Sequence, residues 1–463
     1  MTPDPVARDI VAFALDTATD DLAPAVLDAL DDHIVDAWGC AIAGLDEPPS
    51  QVVRGGLCDA RTRAGVSVLG SSGRYVPDAA AFANATFVRV LDYNDTYNSR
   101  TGGHPSDMIA GVFAAAECAN ASGADVLRGV YVVYEVFAAL AAGFPLRDSG
   151  WDQSAFIAVA TAAGISSALR LDSDAAANAV LLAVTASNGL RVTRSGELSH
   201  WKGAATPFAV RNAVALTRLA HLGMTGPEMA FVGRDGFIER VGGPLPTARL
   251  REHPRPSAVE RTAVKFLPVE WCAQAPVERF LALRETVRPA DIESITVHGY
   301  DFLWREIGGG RDDAQRKWDP RTRETADHSL PFLIAAALVD GKVDLDTYRP
   351  ERISDPALRP LMNRISVVPD AAATAAYPTH QPVRIDIRLR NGDVVHEACD
   401  FPFGHPARPA TAADVDEKFR TLADRVGAVG AEDLLRSIRS LRDAKDLSGF
   451  ARSLRRVAAL PAG

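Results

Sequence analysis

The chain has 463 residues, of which 47% are apolar and 24% charged, with a formal net charge of −9 and a pI near 5.6. That length allows two or three domains of roughly 100–200 residues, and the composition is that of an ordinary globular protein with a large core. The acidic balance excludes nucleic acid as the natural partner, which would need a basic face, but leaves room for a local basic pocket.

The start, MTPDPVARDIVAFALD, lacks the basic and apolar blocks of a signal peptide. Residues 24–44 then place Leu27, Leu30, Ile34, Ala37 and Ala41 on one stripe, with Gly44 as the expected C-cap. Helices are predicted over 107–122, ended by Gly123, and over 124–142, ended by Gly143. The apolar run 130–144 is interrupted by Glu135 and is shorter than the ~20 residues of a bilayer span, so it reads as a buried helix. Further helices are expected over 154–170, 174–187 and 204–222.

The pattern changes near residue 266. DIESITVHGY (291–300) and NRISVVPD (363–370) read as strands, and 382–401 alternates at period two around Asn391-Gly392, a hairpin signal. A helix is predicted from about 327 to 340, and helical pattern returns after Pro406. The expected fold is therefore mainly α with an α+β part: a helical bundle from both chain ends (1–268 and 406–463) with an α+β domain (269–405) inserted. The five cysteines, Cys40, Cys58, Cys118, Cys272 and Cys399, form no CxxC, and their odd count fits reduced thiols in a cytoplasmic protein.

Four segments carry chemistry. LDYNDTYNSRTGGHPSD (91–107) crowds Asp92, Asp95, Thr96, His104, Ser106 and Asp107 between two apolar helices. Asp92 and Asp95 would share one face of a helical turn, and Ser106 or Asp107 is placed to cap the next helix. Asp-x-x-Asp could also hold Mg²⁺, but no partner metal motif accompanies it, so no metal is assigned. GLRVTRSGELSHWKGAAT (189–206) gathers Arg191, Arg194, His200 and Lys202 before a helix start, which suits a carboxylate ligand or, equally, a solvated basic face; Trp201 and the small residues point to a partly buried loop. AVKFLPVEWCAQAPVE (263–278) sets Lys265, Glu270, Cys272 and Gln274 where the composition changes; Cys272 alone reads as a packed thiol. In DPRTRETADHSLPF (319–332), Asp327 reads as a helix N-cap, and His328 beside it could stay neutral and act as a base. No phosphate loop, GxSxG or HExxH occurs. Lysine, arginine, histidine and aspartate together suit proton abstraction α to a carboxylate, with cations holding the developing enediolate.

In this order the segments resemble the MmgE/PrpD family: D-x-x-D-T then H-P-S (Asp92, Asp95, Thr96, His104–Ser106), TRSGELSHWKG (193–203), GMTGPE (223–228), TRETADHSLPF (322–332), FGHPARP (403–409) and EKF (417–419). The 193–203 and 322–332 pieces are most similar to its 2-methylcitrate dehydratase branch; cis-aconitate decarboxylase and iminodisuccinate epimerase are other members. The resemblance implies an all-helical domain with an inserted α+β lid, a homodimer, and catalysis without metal or other cofactor at a site between the domains. It implies a small carboxylate substrate, proton transfer by His104 and Lys202 helped by Asp92, and a substrate-binding set of Asp95, Thr96, Arg191, Arg194, Lys265, Cys272 and Gln153. Two positions depart from the family pattern. Gln153, after Gly-Trp-Asp, and Cys272 stand where relatives carry histidine. Neither replaces imidazole as an acid. The expectation is thus a lyase of dehydratase type, with an isomerase or decarboxylase, or a non-catalytic carboxylate binder, as the alternatives.

Overall fold

The computed structural model describes residues 2–457, 57% helix and 10% strand overall, and the chain divides into two compact units. The first comprises the described residues up to Thr193, Gly203–Val264, and those from Thr411 onward; the second comprises Arg194–Lys202 and Lys265–Ala410.

In the first unit the long helices Pro24–Gly44, Gly123–Gly143, Ser154–Ala168 and Ser173–Ala186 bury alanine, valine and glycine faces. The small side chains permit close approach. A Cβ on Gly164 would lie 2.3 Å from Val133 Cγ1 and 2.6 Å from the Gly129 carbonyl. The C-terminal helix Ala412–Arg425 packs on Pro24–Gly44, so both chain ends build the same core.

Several helix limits differ from expectation for local reasons. Gly44 does not cap its helix, because Leu45 follows in helical conformation; it is small because a Cβ there would meet the Phe87 carbonyl at 2.3 Å. The helix predicted over 107–122 runs Ile109–Ala119 and ends on Asn120 at φ 55°. Gly123 instead opens the following helix, behind a Ser122–Asp125 capping box. A short ladder between Arg61–Ser67 and Arg74–Tyr75 interrupts the helical pattern and was not anticipated.

The second unit is built on a four-stranded sheet. Its order is Ile365–Pro369, Ile292–Gly299, Val383–Leu389, Val394–Cys399, with the first pair parallel and the other two antiparallel. The predicted hairpin turns at Gly392, whose φ of +96° favours glycine. Ile295, Val297, Ile385 and Ile387 join the cluster that also contains the Leu330–Asp340 helix.

The Gly123–Gly143 helix has 21 residues and is long and apolar enough to cross a membrane, although the run read in the sequence looked too short. Its apolar window is 83% buried inside the protein, so it is a core helix. Burial pushes its Glu135 carboxyl up to about 7, against the Ala258 N–H, which donates to Oε1 at 2.6 Å, and the nearby Arg261. The folded state therefore holds a proton that the unfolded chain releases from about 4.5 upward, and stability falls as pH rises through that interval. Glu135→Gln keeps an acceptor for Ala258. Urea denaturation is expected to show it equal to wild type at about pH 4 and more stable by up to about 3 kcal/mol at about pH 8. Parallel pH profiles would contradict this.

Candidate active site

In the first unit the segment 91–107 is buried almost throughout and is not a helical turn: Asp92 takes φ 51°, and Gly102 takes φ 58°. Tyr97 N donates to the Gly103 carbonyl at 2.8 Å and Gly103 N returns to the Tyr97 carbonyl at 3.0 Å. Thr96-Tyr97 pair in turn with Thr262-Ala263. Glycine is needed at 103, where a Cβ would come within 2.6 Å of Phe137 and 3.1 Å of Gln153 Oε1. This closed turn delivers His104.

His104 Nδ1 lies 2.7 Å from the Asp95 backbone carbonyl and 3.2 Å from Thr96 Oγ1. A carbonyl only accepts, so Nδ1 carries the proton, and in the neutral ring Nε2 presents a lone pair. Nε2 faces Asp92 Oδ1 at 3.7 Å. Asp92 Oδ1 also accepts from Arg89 Nη1 at 2.9 Å, with both side chains buried. The result is a base with a set tautomer beside a carboxylate able to steady its imidazolium form.

The other carboxylates support that pair. Asp95 Oδ1 accepts from Ser106 N at 3.1 Å and Ser106 Oγ at 2.6 Å; Oδ2 accepts from the Tyr134 hydroxyl at 2.6 Å and lies 3.2 Å from His33 Nδ1. His33 Nε2 donates to the Val259 carbonyl at 3.1 Å. Burial pushes the His33 imidazole down, but Asp95, Asp36 and that carbonyl more than offset this, so its pKa stands above the ordinary histidine value. Asp107 Oδ1 accepts from Asn94 Nδ2 at 2.9 Å; burial pushes its carboxyl up to about 6 despite Arg89. Ser106 and Asp107 thus belong to this network. No side chain caps the Pro105–Met108 turn, contrary to the capping expected for them.

Gln153 is buried and packs its amide against Gly103. Arg191 is buried on the neighbouring segment, which Trp151 and Leu190 bridge to Gln153. His33, Arg89, Tyr134 and Lys418 were missed in the sequence, since each sits in a helix with no local motif beyond EKF.

In the second unit Lys202 occupies the first turn of the Trp201–His221 helix, three residues earlier than predicted, and is buried, while Trp201 is 47% exposed. The partly buried loop inferred from Trp201 is therefore wrong for that side chain; the lysine is the buried member. Lys202 Nζ donates to Asp327 Oδ1 at 2.8 Å and Oδ2 at 3.1 Å and lies 3.2 Å from His328 Nδ1. Asp327 is not a helix N-cap. Ser329 takes that role, its Oγ accepting from Phe332 N at 3.2 Å, and Asp327 follows the short Arg323–Ala326 helix. His328 Nδ1 is 2.6 Å from Asp327 Oδ1. A carboxylate at that distance fixes the proton on Nδ1, so the lone pair of the neutral ring lies on Nε2.

Arg194 donates from Nη1 to the Lys202 carbonyl at 3.4 Å. Lys265 is fully buried and donates to the Val269 carbonyl at 3.2 Å, a carbonyl that Gln274 Nε2 also reaches at 3.2 Å. Cys272 packs in the sheet core; burial first, then Glu270, pushes its thiol well above the usual range, so it is neither nucleophile nor useful acid. Tyr300, whose hydroxyl hydrogen-bonds with Cys272, is buried and stacked on Tyr377 at 4.6 Å. None of the five cysteines forms a disulfide among the described residues.

A helical unit with a histidine–carboxylate pair and an α+β unit with a lysine–carboxylate–histidine cluster carry the groups of acid–base chemistry on carboxylates. Residues 8–248 match the MmgE/PrpD N-terminal domain and residues 267–443 the MmgE/PrpD C-terminal domain. The chain belongs to the MmgE/PrpD family. It is 28% identical over 451 residues to the 2-methylcitrate dehydratase of Cupriavidus necator, covering 90% of both chains. It is 26% identical over 413 residues to that of Escherichia coli K12, covering 81% of both. A cis-aconitate decarboxylase-like protein of Aspergillus oryzae is 24% identical over 480 residues, covering 96% of both.

Asp95 provides a test of the network. Asparagine offers one acceptor oxygen and no charge, leaving His33 without its partner. Asp95→Asn is expected to lower stability by about 3 kcal/mol in chemical denaturation. A purely substrate-binding Asp95 would instead raise KM and leave the unfolding midpoint in place.

Proposed function

We propose that the protein is a cofactor-independent lyase of dehydratase type, acting on a di- or tricarboxylate such as 2-methylcitrate. The observation that carries this reading is His104, its Nδ1 proton held by the Asp95 carbonyl and its Nε2 facing Asp92. Family membership and the names of the relatives support the reaction class.

In the proposed reaction, His104 Nε2 takes the proton α to a carboxylate. The C–H electron pair forms the new C=C bond as the β-hydroxyl leaves, and a proton joins that hydroxyl to give water. Asp92 steadies the imidazolium. The Lys202 ammonium and Arg191, Arg194 and Lys265 offset the negative charge of substrate and enediolate. Asp327 orients Lys202, Thr96 and Asp95 order the loop, and His328 Nε2 is the further group able to protonate the leaving oxygen. A homodimeric, cytoplasmic enzyme with a small-molecule partner belongs to the same proposal.

Gln153 and Cys272 favour a second reading. Where the family resemblance implies two titratable imidazoles, this chain carries an amide and a thiol of raised pKa. A substrate other than 2-methylcitrate, or a decarboxylation that needs fewer proton donors, fits that loss; the Aspergillus relative's name points the same way.

Purified protein, incubated without added metal with 2-methylcitrate and a panel of di- and tricarboxylates, is expected to release water or CO₂ from one of them. His104→Ala and Lys202→Ala should each lower kcat by about 10²-fold or more. Normal turnover in both variants would sink the residue assignment. Solvent deuterium entering recovered substrate without elimination would mark an isomerase, and ligand-induced thermal shifts with no turnover a non-catalytic binder.

A further inference from the structure

The C-terminal EKF motif has no place in the chemistry above, yet its lysine reaches the catalytic loop. Lys418, on the Ala412–Arg425 helix, is 6% exposed. Its Nζ donates to Asp36 Oδ1 at 2.5 Å and to the Tyr93 backbone carbonyl at 2.9 Å, and stands 3.9 Å from the centroid of the Tyr93 ring. Tyr93 is the residue after Asp92, where the backbone has just turned through a left-handed conformation that aspartate tolerates at a cost. A charge-assisted bond to the Tyr93 carbonyl holds the chain on the far side of that turn. The ammonium cannot leave without exposing Asp36 to an unpaired burial.

Lys418 has an alternative, purely structural task, which is to neutralise Asp36. Two features argue for more. The ammonium has three donors to place, and it places one on a carbonyl of the loop, at the residue after the left-handed turn. Asp36 is on the same helix as His33, whose imidazole faces Asp95, so the carboxylate that fixes Lys418 and the histidine that fixes Asp95 hold the loop from one rigid element. Asp95 in turn presents the carbonyl that sets the His104 tautomer.

We propose that Lys418 is a positioning residue for the Asp92–His104 pair: it fixes the loop backbone at Tyr93 and thereby the aim of His104 Nε2, without touching substrate. This rests on the assignment of His104 and Asp92 to catalysis. A displacement of about 1 Å at reacting atoms costs about a hundred-fold in rate, so loss of the clamp should be read in kcat rather than KM.

The test uses the full-length protein and separates clamp from charge balance. Lys418→Met leaves Asp36 unpaired and should be destabilised. The double variant Lys418→Met/Asp36→Asn removes both charges and should recover most of the lost Tm. The proposal expects that, in the double variant, kcat on the turned-over carboxylate stays down by roughly a hundred-fold while KM moves little. It also expects the ¹⁵N signal of His104 Nδ1–H, identified by its absence in His104→Ala, to shift or broaden. Wild-type kcat and an unchanged His104 signal in the refolded double variant would overturn it. Should the double variant not fold, Lys418→Leu/Asp36→Leu decides, since it removes the bond to the Tyr93 carbonyl and fills both positions with apolar side chains, leaving no unpaired charge. A fall in kcat with Tm held supports the clamp, and wild-type kcat overturns it. If wild-type protein turns over no carboxylate, the functional reading fails, whereas the His104 signal still reports on the positioning.

Discussion

Everything in the first unit's candidate site depends on keeping charged groups ionised where water cannot reach them. A buried carboxylate that finds no partner takes up a proton or unfolds its surroundings. Here Asp92, Asp95, Asp36 and Asp107 are all buried within or beside one loop. Their partners come from four helices: Arg89 of Pro77–Arg89 serves Asp92 and Asp107, His33 of Pro24–Gly44 and Tyr134 of Gly123–Gly143 serve Asp95, and Lys418 of Ala412–Arg425 serves Asp36. The helices can bring these partners together because their interfaces are lined with alanine and glycine. The polar loop and the small-residue packing are two aspects of one solution.

This arrangement divides the labour among residues that look alike in the sequence. Asp92 and Asp95 are three positions apart. One faces His104 Nε2; the other has both oxygens committed to Ser106, Tyr134 and His33, and acts on His104 through its backbone carbonyl. In the second unit a similar division applies to Asp327, whose carboxylate orients both Lys202 and His328. In each unit a carboxyl or carbonyl oxygen fixes Nδ1 of a histidine. Gln153 packs on the glycine that shapes the His104 turn, and Cys272 has become part of an apolar core.

The elements were largely legible before the structure. Periodicity located the long helices and the hairpin at Asn391-Gly392 because these depend on local spacing and on a glycine with positive φ. Their ends were less so. Gly44, Gly123 and Asp327 carry residue types that ordinarily mark caps, but tertiary contacts decide their use: the first admits a neighbouring backbone, the second opens a helix, and the third turns to a lysine far along the chain.

The sequence by itself determined the family and the mainly α class with its α+β part, because ordered motifs and hydrophobic period are written along the chain. Only the tertiary structure decided which aspartate faces histidine and which braces the loop, which lysine is buried on a carboxylate, and that a lysine 325 positions from Tyr93 holds its carbonyl. Those assignments follow from desolvation and hydrogen-bond geometry between residues that no local pattern connects, and such pairings exist only once the chain has folded.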